Sequence, residues 1–417
     1  MGNGGDYLSI ALVGTRGVPA RYGGFETCVE EVGARLAERG HDVVVYCRSL
    51  DDEADHPETF RGMRLVHRGA MRRRSLETLS HTGLSVAHLL RNRTDAAIVF
   101  NAANSPYLPL IRAARIPVAT HVDGLEWRRA KWGRGGQAYY RNAESLAVRW
   151  SDALIADAQG IADYYRDEFA ADTELIAYGA PRVDRESDLL GDLDLQPDGY
   201  HLVVARFEAE NHVDVIVDGY RRSGARKPLV VVGSAPYADD YTRRVHGLAD
   251  DRVSFLGGVW DQRLLDQLYA GAYTYLHGHS VGGTNPSLLR ALGAGTATIA
   301  FDVSFNREVL GRSGMYFTDA ADVARALEAA EESPADVAER GRLASERADD
   351  YDWDAVADAY EGMCLRLANG ELRRAKRPLL AQRTGREGRR TAVAAAGTAF
   401  RGSAQSTASG SEEVSAP

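Results

Sequence analysis

Short apolar runs alternate along the chain with stretches whose apolar residues return every three or four positions. Runs at 7–13, 43–47, 96–100, 118–121, 153–156 and 175–179 are nearly continuous, as expected of strands covered on both faces of a parallel sheet. After the first run, Phe25, Val29, Val32 and Leu36 fall on one face of a helix that Gly40 ends. A second helix is predicted over 137–150. Strand-like runs resume at 201–205, 229–232, 253–256, 273–276 and 298–301, again with helical stretches between them. Helices over 320–332 and 352–368 close the series. The segment 182–200, rich in Asp, Gly and Pro and weakly periodic, predicts a connection. The pattern therefore predicts an α/β fold of two facing, doubly wound, mainly parallel-sheet domains, 6–180 and 181–370. From 371 to 417 the chain turns basic and then Ser-, Ala- and Gly-rich without a period, a tail predicted to be disordered.

Composition narrows the possibilities. A chain of 417 residues exceeds one typical core and suits two domains with a tail. The net charge of −9 excludes a general nucleic-acid binder. Three widely spaced cysteines, Cys28, Cys47 and Cys364, form neither a disulfide framework nor a zinc pattern, which favours reduced thiols and a cytoplasmic setting. The first six residues lack the charged and apolar regions of a signal peptide. No apolar run approaches the roughly 20 residues that span a bilayer. Arg72, Arg73 and Arg74, with the basic part of the tail, suit peripheral contact with the inner face of the plasma membrane, although a solvated charged loop is the plainer reading.

Two glycine-rich crossovers carry the candidate chemistry. At 273–276 an apolar run stops at His277-Gly-His-Ser-Val-Gly-Gly-Thr-Asn-Pro-Ser287. Pro286 then opens a helix that Asn285 caps and that turns Leu288, Leu289 and Leu292 inward. Strand, glycine loop and capped helix start aim unpaired N–H groups and the positive dipole end at one place, which suits a phosphate. An ordinary β-α turn is the competing reading. The loop at 14–25 makes a similar crossover at the first strand, where open α/β sheets place ligands.

Four motifs taken together resemble the GT-B glycosyltransferases of retaining family 4, and among them the bacterial rhamnosyltransferase-like subgroup. They are Val-Gly-Thr-Arg-Gly-Val-Pro-Ala-Arg-Tyr-Gly-Gly-Phe-Glu at 13–26, His-Val-Asp-Gly-Leu-Glu-Trp at 121–127, Ala-Arg-Phe-Glu-Ala-Glu-Asn at 205–211 and the glycine loop at 277–287. The resemblance covers about 6–365. It implies two facing Rossmann-like domains around a cleft and transfer of a sugar from a nucleotide-diphosphate donor to a glycan or lipid-linked acceptor, with retention. It implies neither a metal nor a further cofactor. Arg206 is expected at the diphosphate, with Gly23 and Gly24 approaching it from the other wall, and His121 and Asp123 near the transferred sugar. Asn211, Gly282, Gly283, Thr284, Asn285, Ser287 and Arg290 complete the expected donor site.

Departures from the family fall at three positions. Asn211 stands where relatives carry a lysine, and Gly282 and Arg290 where most carry glutamates. A guanidinium cannot accept hydrogen bonds from a ribose diol. Three readings of Arg290 compete: it turns to the diphosphate, the donor carries deoxythymidine, or the chain is a catalytically silent scaffold with Arg290 on its surface. An NAD(P)-dependent enzyme is the remaining alternative, disfavoured because 14–17 lacks the dinucleotide glycine fingerprint and the second strand ends in Cys47-Arg48 without an acidic ribose ligand.

Overall fold

The computed structural model describes residues 7–20, 23–49, 56–71, 76–122, 124–129, 132–186, 189–233 and 239–372. The first sheet consists of β1 (Ser9–Val13), β2 (Asp42–Ser49), β3 (Thr59–Phe60), β4 (Met63–Gly69), β5 (Ala96–Phe100), β6 (Val118–His121), β7 (Ala153–Ala156) and β8 (Glu174–Leu175). Its order is β3-β4-β2-β1-β5-β6-β7-β8, with β3 antiparallel to β4 and the other pairs parallel. The second sheet holds β9 (His201–Val204), β10 (Leu229–Val232), β11 (Val253–Gly257), β12 (Thr274–His277), β13 (Thr298–Phe301) and β14 (Met315–Phe317). It is wholly parallel in the order β11-β10-β9-β12-β13-β14.

The continuous apolar runs are strands because helices cover both faces of each sheet. Ile10, Leu12, Ile98, Leu202 and Val230 are all enclosed. Three strands, β3, β4 and β14, escape the sequence pattern. In β4 the burial alternates at its start, so Met63 and Leu65 point inward while Arg64 faces out, and only three residues make β14. The run at 175–179 is strand only at its beginning. Its neighbour β7 ends at Ala156, which pairs with Leu175 and whose carbonyl accepts the last ladder bond, from Ile176 N at 2.9 Å. Ile176, Tyr178 and Ala180 are buried all the same.

The last helix, Trp353–Ala368, returns to the first domain and packs on the helix Gly24–Glu38. Arg35 Nε bonds Asp354 Oδ1 at 2.7 Å, and Arg39 Nη1 bonds Glu361 Oε2 at 2.5 Å. One apolar core runs through both domains, from Ile10 and Val29 to Leu288, Tyr360 and Leu367. The arginine triplet at 72–74 and the tail from 373 lie outside the described residues.

Candidate active site

In each sheet the strand order reverses beside the first strand, between β1 and β5 and between β9 and β12, and such switch points open crevices at the carboxyl ends. Here the two crevices face each other and merge into one cleft of about 900 Å³. Its walls include Arg16 and Asn101 from the first domain and Arg206 and Gly278 from the second.

On the first wall, carboxylates from the Gly24–Glu38 helix hold the loop after β1. Glu26 Oε1 accepts from Arg16 N at 3.1 Å and Glu30 Oε2 from Ala20 N at 2.6 Å. Gly23 caps this helix at φ 112°, a conformation that favours glycine. On the second wall, Pro286 opens the helix Pro286–Gly293, and Asn285 Oδ1 accepts from Ser287 N at 2.9 Å. Leu288, Leu289 and Leu292 anchor that helix in the core, as its spacing predicts. The two helix starts meet: a Cβ on Gly24 would stand 3.5 Å from Pro286 Cδ and 3.1 Å from Tyr178 Cε2. Two positive dipole ends therefore share one crevice, joined by the half-exposed Arg206 guanidinium.

Arg206 Nη2 lies 3.5 Å from Glu208 Oε2. Asn211 also lines the cleft, but both ends of its amide are occupied by protein. Its Nδ2 donates to the Arg206 carbonyl at 2.8 Å and its Oδ1 stands 2.7 Å from His279 Nδ1. That arrangement places the His279 proton on Nδ1 and leaves Nε2 an acceptor. Burial pushes His279 well below the usual histidine range, and the nearby Arg129 and Arg206 charges add to this. Asn211 thus holds the Arg206 turn and the glycine loop together.

Gly282, Gly283, Thr284, Asn285 and Ser287 line the cleft. Gly282 adopts φ 135°, and a Cβ on Gly124 of the opposite wall would stand 2.5 Å from its carbonyl carbon. Thr284 Oγ1 donates to the Asp157 carbonyl at 2.5 Å. The glycine loop of one domain is therefore seated directly on the other.

Two expected site residues, His121 and Arg290, behave differently. His121 is enclosed beneath the cleft and does not line it. Its Nδ1 meets the Tyr360 hydroxyl at 2.7 Å, Phe25 and Tyr178 stack around it, and burial pushes its pKa down to about 3. A strand end in the core explains this: the side chain of the last β6 residue packs between the sheet and the returning C-terminal helix. Asp123 lies outside the described residues. Arg290 lines the cleft, yet its Nη1 donates to Gln262 Oε1 at 2.9 Å and its Nε stands 3.4 Å from Asp266 Oδ1. It turns toward the helix Gln262–Ala270, and Asp266 answers its charge.

Several cleft residues escaped the sequence reading. Arg129, from the first domain, stands 2.5 Å from Glu126 Oε2 and reaches Glu208 Oε2 at 3.7 Å and Glu210 Oε1 at 3.5 Å on the other side. Asp157, Gln262 and the exposed Trp260 also line the cleft. Asp157 follows β7 directly, and position after a strand was the one signal that marked it. Asp352 and Asp354 also line the cleft. Asp352 caps the last helix and Asp354 pairs with Arg35.

Comparison with known proteins agrees with this geometry. The model of the glycosyl transferase 4-like domain matches residues 23–179, and that of glycosyl transferases group 1 matches 199–332. Glycogen synthase of Mycobacterium tuberculosis is 26% identical over 407 residues, spanning 87% of this chain and 96% of that protein. Sucrose-phosphate synthase from Thermosynechococcus elongatus superposes with a TM-score of 0.75 at 19% identity, over 87% of this chain and 99% of the other. HepE of Anabaena, in complex with UDP, gives 0.67 at 16% identity, over 85% and 99%. Both halves of the chain match glycosyltransferase models, and the fold is that of the GT-B type.

Proposed function

We propose that the chain moves a hexosyl or deoxyhexosyl unit from a nucleotide-diphosphate sugar to a glycan or lipid-linked acceptor, with retention, as a family 4 enzyme of the rhamnosyltransferase-like subgroup. The observation that carries this reading is the meeting of two helix starts, at Gly23-Gly24 and Pro286, beside Arg206. Breaking the bond between the anomeric carbon and the β-phosphate oxygen leaves charge on the diphosphate, and this is where the cleft concentrates positive potential. The acceptor oxygen attacks the anomeric carbon on the face the phosphate leaves, and its proton passes to a leaving-group oxygen. Positive charge from Arg206 and the dipoles takes the part a metal plays elsewhere, so no cofactor is needed. Neutral, buried His121 acts from below by fixing Phe25 and Tyr360.

The reaction serves cell-surface polysaccharide or glycoconjugate synthesis in the cytoplasm, with the basic segments at the inner membrane face. Among the described residues no helix is long and apolar enough to cross a membrane. HepE has been captured with UDP-glucose, which makes UDP-sugars the first donors to try. Thermal-shift screening of the purified chain against UDP-, GDP- and dTDP-sugars, followed by donor hydrolysis and transfer in excess chelator, tests the proposal. Stabilisation by one class and turnover unaffected by chelator are expected. Turnover abolished by chelator would remove the metal-free mechanism, and binding without any turnover would favour a silent scaffold.

A further inference from the structure

Asp157 stands at the carboxyl end of β7 with only 5% of its surface exposed. Its Oδ1 has no hydrogen-bond partner. That oxygen presses on the second domain so closely that a Cβ on Gly283 would collide with it, and would also stand 2.7 Å from Ile161 Cδ1. The Asp157 carbonyl accepts the Thr284 hydroxyl, so the residue grips the donor loop by its backbone while its carboxyl is sealed underneath.

The surroundings suit an uncharged group. Tyr178 gives the carboxyl a hydroxyl hydrogen bond. Glu308, which accepts from Gln159 N at 3.1 Å, faces it with a like charge. From the Gly24–Glu38 and Trp353–Ala368 helices come the Cys28 thiol and the Tyr360 hydroxyl, both kept protonated by burial. His279 of the glycine loop is neutral, and Asp123, nearby in sequence to Gly124, lies outside the described residues. Burial, with the Glu308 charge a smaller contribution, pushes the Asp157 carboxyl up to about 7. Parting of the domains would return water to Oδ1 and restore an ordinary acid.

We infer that Asp157 is a positioning residue that holds the Gly282–Thr284 loop across the cleft as an uncharged acid, so that closing the two domains takes up one proton. The inference rests on the reading of that loop as part of the donor site. Its sign follows from linkage. The closed form carries a proton that the open form has already lost, between the ordinary aspartate range and about pH 7. Closure is therefore favoured at lower pH and is lost as pH rises through about 7.

Small-angle scattering of the ligand-free full chain from pH 5.5 to 9 tests this. The radius of gyration of the wild type is expected to grow as pH rises from 5.5 toward 7 and to level off above it, while Asp157→Asn, a fixed neutral mimic, stays compact throughout. A wild type indifferent to pH, or an Asp157→Asn variant that expands in step with it, overturns the inference. The wild-type arm decides the matter alone should the variant not fold. With UDP-glucose, GDP-mannose and dTDP-glucose as probes, the affinity of whichever binds should fall by up to ~10-fold per pH unit as pH rises toward 7 in the wild type, level off above 7, and stay flat throughout in the variant. A flat wild-type profile again overturns it. Binding of none of the three, alongside pH-linked expansion that Asp157→Asn abolishes, removes the donor-site reading and leaves the proton-linked contact standing.

Discussion

Arg206 and Arg290 show how little a residue's type says about its work until its partners are known. Both line the cleft, but Arg206 is half exposed beside Glu208, whereas Arg290 is answered by Asp266 and Gln262. The extra cation that the sequence invited at Arg290 is turned to a neighbouring helix. Arg206→Ala should lower kcat by about 10²–10³, the usual loss when one preorganised donor to a developing oxyanion is removed. Stability should move by less than ~0.5 kcal/mol, since an exposed side chain with one long ion pair is lost. Turnover and thermal unfolding of the same preparation check both halves. Much of the site could be named from the sequence at this scale: Gly23, Gly24, Arg206 and the 282–287 loop all reach the cleft. Asn211 and His121 were named for contacts with ligand, and the structure gives them protein partners. A motif marks a position, and the packing of distant helices decides which way its side chain turns.

At the scale of elements, the Pro286–Gly293 helix is a short rod whose start forms the site and whose body is gripped by the core. Leu288, Leu289 and Leu292 supply the grip. Leu289→Ala removes a fully buried side chain and should cost about 2–5 kcal/mol. It should also weaken nucleotide binding, because the dipole end is then held less firmly. Denaturant unfolding and calorimetry with UDP, GDP and dTDP measure the two effects. Strands with continuous apolar runs were readable because helices cover both faces. The strands β3, β4 and β14, at or next to a sheet edge, were not, since many of their side chains are only partly buried. The run at 175–179 failed as a strand for the opposite reason, its apolar residues being buried although the ladder to β7 ends at Ile176 N.

Across the whole molecule, the two domains are joined by the shared core, the returning C-terminal helix and a set of cross-cleft contacts. Arg129 bridges Glu126 on its own side with Glu208 and Glu210 on the other. Arg129→Met removes the cation that Glu126, Glu208 and Glu210 share, leaving only Arg206 beside Glu208, and the carboxylates then repel one another more strongly. The cleft should loosen, with a larger radius of gyration and a higher KM for donor, while each sheet keeps its own stability. Scattering and steady-state kinetics would show it, and unchanged values in both would mean that the bridge carries no load. What the linear order of residues determined by itself is local: continuous apolar runs, helical periods, glycine crossovers and helix caps are written within a few neighbouring positions, and they name two facing α/β domains and the glycine turns that line the cleft. What only the tertiary structure decided is everything that depends on residues far apart meeting. His121 lies under Tyr360, 239 positions away, Thr284 reaches back to Asp157, and Arg290 turns aside to Asp266. Burial and partner choice are properties of the closed fold, and no local pattern encodes them.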